Sequence, residues 1–141
     1  MRQVEDFSKK IPARQVLFIL DSCFSGIAGA VYKKGSDQLS IETKNQIKAY
    51  IISEGRQILA AGKADEEVVM TADLKNSMYT HYLLRGLRGE ADYDKNRVIS
   101  IHELQVYLES IFPNKIAKQT PQIFDLINSG GQFVFYPEGE D

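Results

Sequence analysis

Val16-Leu17-Phe18-Ile19-Leu20 is an unbroken apolar run that stops abruptly at Asp21-Ser22-Cys23-Phe24-Ser25-Gly26. Consecutive apolar side chains do not alternate between a core and water, so the run predicts a strand covered on both faces, the kind that parallel sheets bury. With its polar end the predicted element spans residues 15–26. Small and polar residues directly beyond such a strand fall at its carboxyl end, where open α/β sheets place their sites. Arg56-Gln57-Ile58-Leu59-Ala60-Ala61 repeats the arrangement, as a strand over 56–61 that ends at Gly62 with Asp65-Glu66-Glu67 just beyond.

Helical spacing marks two further segments. Met78, Tyr82, Leu83 and Leu87 predict a helix over 77–87 stopped by Gly89, and Leu104, Tyr107, Leu108 and Ile111 predict one over 101–112 stopped by Pro113. Asn45 to Glu54 reads as a shorter helix closed by Gly55, and Phe133-Val134-Phe135-Tyr136 as a final strand within 132–136. Residues 2–10 are polar without a strong period, and 33–44, with Gly35-Ser36-Asp37, reads as an exposed loop. Strands alternating with helices predict a single α/β domain, a layered fold with a mostly parallel sheet flanked by helices.

Charge excludes some classes of partner. Seventeen basic and nineteen acidic residues leave a net charge of −2 with no block of one sign, which argues against nucleic acid and against an anionic membrane. No apolar stretch approaches the roughly 20 residues of a membrane span, and the opening Met-Arg-Gln-Val-Glu-Asp has no signal-peptide core. A soluble, cytoplasmic protein is expected. The one cysteine forms no internal disulfide and by itself makes no zinc site, so Cys23 is either a small buried hydrophobe or a reactive thiol. A reactive thiol needs partial exposure and nearby N–H groups or cations. Ser22, Ser25 and Gly26 around Cys23 allow a sharp turn that presents backbone N–H groups to an oxyanion.

Leu17 to Gly26 resembles the nucleophile strand of the caspase and metacaspase family, whose bacterial members typically read Asp-Ala/Ser-Cys-Phe/His-Ser-Gly there. Three later segments resemble the same family in the same order. Ile58 to Glu66 is similar to its next strand and Ala-Asp-Glu turn, Tyr79 to Leu87 to its Phe-Thr-x-x-Leu-Leu-x-x-Leu helix, and Asp92 to Leu104 to its Asp-x-Asp-x-Asn-x-x-Ile-Ser-x-x-Glu-Leu segment. The resemblance implies a caspase-like fold and a cysteine endopeptidase that forms an acyl-enzyme on Cys23, with the Cys23 backbone N–H in the oxyanion hole. It implies a protein or peptide substrate and no required cofactor.

The resemblance also implies a catalytic histidine about 50 residues before the cysteine. Only 22 residues precede Cys23. His81 and His102 follow it on predicted helices, and neither lies in a Gly-His-Gly-like turn. The expectation is therefore a C-terminal portion of a caspase-like domain, incomplete at its N-terminal side and inactive alone. Its expected partner is a histidine-bearing portion of the same domain, on the same polypeptide or as a separate chain. A caspase-like binding or scaffold module without catalysis is the alternative.

In metacaspases the acids two residues before the nucleophile and in the turn after the next strand line the primary specificity pocket, which by position implicates Asp21 and Asp65. Two such carboxylates suit a guanidinium or ammonium group, hence cleavage after Arg or Lys. The competing reading makes Asp21 a helix cap and Asp65 a solvated turn residue. Lys33 and Lys34 in the 33–44 loop make it the candidate processing site.

Asp92, Asp94, Asn96, Val98, Ser100 and Glu103 fall at the ligand positions of a calcium-binding EF-hand loop. Arg97 stands where that loop needs glycine. Ser100-x-x-Glu103 is also a capping box that starts the following helix, and this is the preferred reading. Calcium at Asp92, Asp94, Asn96, Ser100 and Glu103 is secondary, and no metal is favoured.

Overall fold

The computed structural model describes residues 2–24, 31–33, 41, 43–63, 65–67, 69–70, 75–112 and 119–137. The elements are α1 (Arg2–Lys10), β1 (Gln15–Phe24), β2 (Val31–Lys33), α2 (Lys44–Ile52), β3 (Gly55–Lys63), α3 (Met78–Arg85), β4 (Ile99–Ser100), α4 (Ile101–Ile111), β5 (Gln122–Asp125) and β6 (Val134–Phe135). The chain winds on from α3 through Gly86–Glu90 and kinks at Gly89, whose φ is 122°. Most of the 33–44 loop, including Lys34, lies outside the described residues.

The main sheet has the order β1-β3-β5-β2. It is mixed rather than mostly parallel: β1 pairs with β3 in parallel, while β3–β5 and β2–β5 are antiparallel. Hydropathy marks where a strand runs and carries no information about its direction, so β5 escapes the alternation argument. β3 is an interior strand, buried from Gly55 to Gly62. Leu59 and Ala61 pack on one face with Tyr79 and Leu83 of α3 and Leu104 and Leu108 of α4. Ile58 packs on the other with Phe124 and Leu126, against Val4, Phe18 and Leu20. Helices therefore cover both faces, in the layered manner of α/β domains.

β1 departs from the expectation of burial on both faces. Only β3 pairs with it among the described residues, so it is an edge strand. Val16 is buried, Leu17, Phe18 and Leu20 are half-buried, and Ile19 is 43% exposed. Leu17 reaches the α3/α4 core, but that layer does not extend over Ile19.

Two local devices fix the helices above the sheet. Ser100 and Glu103 make both hydrogen bonds of the capping box at the start of α4. Gly86 lets α4 come close: a Cβ there would meet Leu104 Cδ1 and Tyr107 Cδ1 at 2.9 Å each. No helix among the described residues is long and apolar enough to cross a membrane.

Candidate active site

Cys23 lies near the carboxyl end of β1, paired with Gly62 of β3. The register slips between Leu20 and Cys23, where three steps along β1 match two along β3, from Leu20↔Ala60 to Cys23↔Gly62. An extra residue of this kind is a β-bulge, which bends the strand and re-aims its side chains. Gly62 leaves room for the Glu66 carboxylate beside the sulfur, because a Cβ there would lie 2.9 Å from Glu66 Oε2 and, in ordinary contact, 3.4 Å from Cys23 Sγ. The thiol is half-buried and donates to the Glu66 carbonyl. Burial pushes the Cys23 thiol above its ordinary value, and the carboxylates of Glu66, Asp65 and Glu67 push it further. Each negative charge opposes formation of another beside it.

In the sequence Glu66 stands in the acidic cluster Asp65-Glu66-Glu67 and as the last residue of the Ala-Asp-Glu turn. Its carboxylate accepts from Lys63 N at 2.8 Å, Thr120 N at 2.7 Å and Thr120 Oγ1 at 2.7 Å. Burial pushes the Glu66 carboxyl up, but the hydrogen bonds from Thr120 and Lys63, with the Lys63 charge, outweigh it and hold the group below its ordinary range. Gly62 stands in the sequence only as the end of the second strand, and Thr120 carries no sequence signal. Thr120 is 54 residues from Glu66, beyond any local pattern.

The two candidate specificity acids have different surroundings. Asp21 is exposed and accepts from Ser77 Oγ, which lies 2.7 Å from each carboxylate oxygen, and from Thr80 Oγ1 at 2.9 Å. Ser77 is the N-cap of α3 and accepts from Thr80 N. Asp21 thus fastens the strand end to the first turn of α3, close to the helix-cap alternative. Asp65 is exposed in the turn after β3 and acts on the thiol through its charge. Tyr79, wholly buried in α3, feels Asp21 as well; burial first and that carboxylate second push its phenol up.

His81 packs edge-on against the Tyr82 ring, with centroids 5.0 Å apart. His102 sits half-buried in the first turn of α4. Ser25 and Gly26, invoked for the turn after Cys23, lie outside the described residues.

The acidic segment is knit to its own backbone. Asp92 accepts from Asn96 N and Arg97 N, and Asn96 Oδ1 from Val98 N at 2.7 Å. Arg97 has φ 65°, the left-handed conformation that glycine adopts without strain. Asp92, Asp94 and Glu103 offer ligand atoms within 4.8 Å of one another, while Glu103 also accepts from Ser100 N at 3.0 Å in its capping role.

A family model described as a caspase domain matches residues 2–128. No curated protein and no solved structure gives a significant match.

Proposed function

The chain belongs to the caspase-domain family, whose chemistry is of the cysteine-peptidase type, and on that premise we propose that it hydrolyses peptide bonds after Arg or Lys through an acyl-enzyme on Cys23. The observation that carries the reading is the position of Cys23 itself: a half-buried sulfur at the carboxyl end of a sheet strand, behind a bulge and over a glycine.

In this reaction the Cys23 thiolate attacks the scissile carbonyl carbon, and the backbone N–H of Cys23 helps hold the oxyanion. A histidine takes the thiol proton and gives it to the leaving amine. It then draws a proton from the water that cleaves the thioester, which frees a carboxylic acid and restores the thiol. No cofactor enters these steps. The reading assigns the histidine to a separate portion of the domain that pairs along the open edge of β1. The length of that edge and the exposure of Ile19 support this, since such an edge is a template for another strand. Asp65 beside the thiol, with Asp21 at the neighbouring strand end, supports a cationic substrate side chain. A non-catalytic binding module is the second reading, favoured by the hydrogen bond that the thiol gives to a carbonyl instead of to a base.

An arginine-directed covalent peptide inhibitor tests the proposal, with attachment to Cys23 read by mass spectrometry. Labelling is expected in a form that includes the histidine-bearing portion, and not with an aspartate-directed analogue. Failure to label that form with either inhibitor refutes the peptidase reading.

A further inference from the structure

Both oxygens of the Glu66 carboxylate are engaged. Oε2 accepts from Lys63 N and Thr120 N, and Oε1 from Thr120 Oγ1. A parallel strut lies beside it: the fully buried Gln119 donates to Ala61 O at 3.3 Å and accepts from Val69 N at 3.2 Å. The segment ahead of β5 therefore grips the stretch from Ala61 to Val69 at several points. Glu66 also presents its backbone carbonyl to the Cys23 thiol. Gly62 lies between the two groups, without a Cβ that would crowd the carboxylate at 2.9 Å.

We propose that Glu66 is a positioning residue for the nucleophile: clamped to Lys63 and Thr120, it holds its own carbonyl against the Cys23 thiol and so keeps the sulfur aligned and covered until a base takes its proton. The inference rests on Cys23 being the nucleophile. A chain of fixed contacts runs from Thr120 through the Glu66 side chain to the Glu66 carbonyl, so the strand that supplies the thiol and the turn that receives it move as one unit. The charged groups around the thiol are the carboxylates of Glu66, Asp65 and Glu67, with the Lys63 ammonium acting on Glu66. Charge and position are thus separable. In Glu66→Gln the amide oxygen still accepts from Lys63 N and Thr120 N and the amide nitrogen donates to the Thr120 hydroxyl, so the clamp survives without its charge. Glu66→Ala removes both, and Thr120→Val loosens the clamp with the charge intact.

The experiment is alkylation of the full chain by iodoacetamide, followed by intact-mass spectrometry from about pH 6 to about pH 11. A single cysteine makes the reading specific. The midpoint of the profile reports thiol ionisation, and the plateau reports access to the thiolate. Glu66→Gln should lower the midpoint and leave the plateau within about twofold of the unmodified chain. Glu66→Ala should lower the midpoint and raise the plateau by about fivefold or more, and Thr120→Val should raise the plateau alone. A residue that merely stabilised the fold would lower melting temperature without moving the plateau, and its charge alone would move only the midpoint. Plateaus unchanged in Glu66→Ala and Thr120→Val overturn the proposal, as does a Glu66→Gln plateau that rises as far as that of Glu66→Ala. If Glu66→Ala does not fold, Thr120→Val decides alone. Iodoacetamide needs no peptide recognition, so a negative result here leaves the inhibitor test of the peptidase reading untouched, and the reverse also holds.

Discussion

Replacement of Asp21 separates its two candidate roles. Its carboxylate accepts the Ser77 and Thr80 hydroxyls at 2.7 and 2.9 Å, at the start of α3. Ser77 simultaneously accepts from Thr80 N at 3.0 Å, so Asp21 sets the orientation of the N-cap hydroxyl. Asp21→Ala removes the acceptor for two hydroxyls and a negative charge near a helix N-terminus. Hydrogen bonds to charged groups contribute about 1.5–3 kcal/mol each when shielded from water, and a charge at a helix end about 0.3–1 kcal/mol. Asp21 is exposed, so water replaces part of what is lost. About 1 kcal/mol per hydroxyl, with the charge effect included, gives roughly 2 kcal/mol. In a chain of 141 residues this is a fall of about 6 °C in melting temperature. Asp21→Asn retains one oxygen acceptor and should fall by about half as much. Circular dichroism melts give the stability, and arginine-inhibitor labelling of a form that includes the proposed histidine-bearing portion gives the recognition. If Asp21→Ala melts within about 1 °C of the unmodified chain, the bridge to α3 contributes nothing and the reasoning fails. If Asp21→Asn keeps most of its stability and loses labelling more than about tenfold, the carboxylate also binds the substrate cation. Labelling at the original rate restricts Asp21 to anchoring the helix.

Arg56 is 6% exposed and donates to Ser8 O, Ile11 O and Ala13 O, with its Nε 3.0 Å from Glu54. Arg56→Ala should cost about 3 kcal/mol in urea unfolding, and Arg56→Lys should recover only a minor part, because one ammonium does not reach all of these carbonyls. Acid should destabilise the chain. Glu66 and Glu90 titrate below the ordinary glutamate value of 4.5, so the stability they confer is present above it and is lost as pH falls through their folded values. Melting temperature should drop below about pH 4.5, and the drop should shrink in a Glu66→Gln, Glu90→Gln double variant.

Local chemistry was readable where one short pattern carries the structure. Ser100-x-x-Glu103 stands in sequence as the capping box that starts α4, and Thr43-x-x-Gln46 makes the same box at α2. The second one moves the helix start to Lys44, one residue ahead of the expected Asn45. α1 was not read at all. Val4, Phe7, Ser8 and Ile11 have helical spacing, but the buried member is Ser8, satisfied by Glu5 O, while Phe7 is 59% exposed. The apolar stripe is broken where it matters. β5 is four residues long and opens with Gln122, too short and too polar for alternation to mark it. In the site, the position of Cys23 at a strand end could be read from Val16 to Gly26. The Asp21–Ser77 and Glu66–Thr120 contacts span 56 and 54 residues and depend on the packing of the whole domain.

The electrostatics of the thiol bear on how a site of this kind works. A free cysteine is only a few per cent thiolate at neutral pH, and every further unit of upward shift removes another factor of about ten. Burial and three carboxylates push Cys23 in that direction. Asp65, one of the two acids proposed to receive a basic substrate side chain, is therefore also one of the groups that disfavour the thiolate. Two cations can reverse this. An imidazolium left beside the sulfur after proton transfer stabilises the thiolate directly, and a substrate guanidinium at Asp65 cancels one of the opposing charges. On the proposed reading, recognition and activation are coupled through Asp65: an acidic or neutral side chain there leaves that opposing charge in place even with a base present. That coupling is the physical reason for expecting the arginine-directed inhibitor, and not its aspartate counterpart, to modify Cys23.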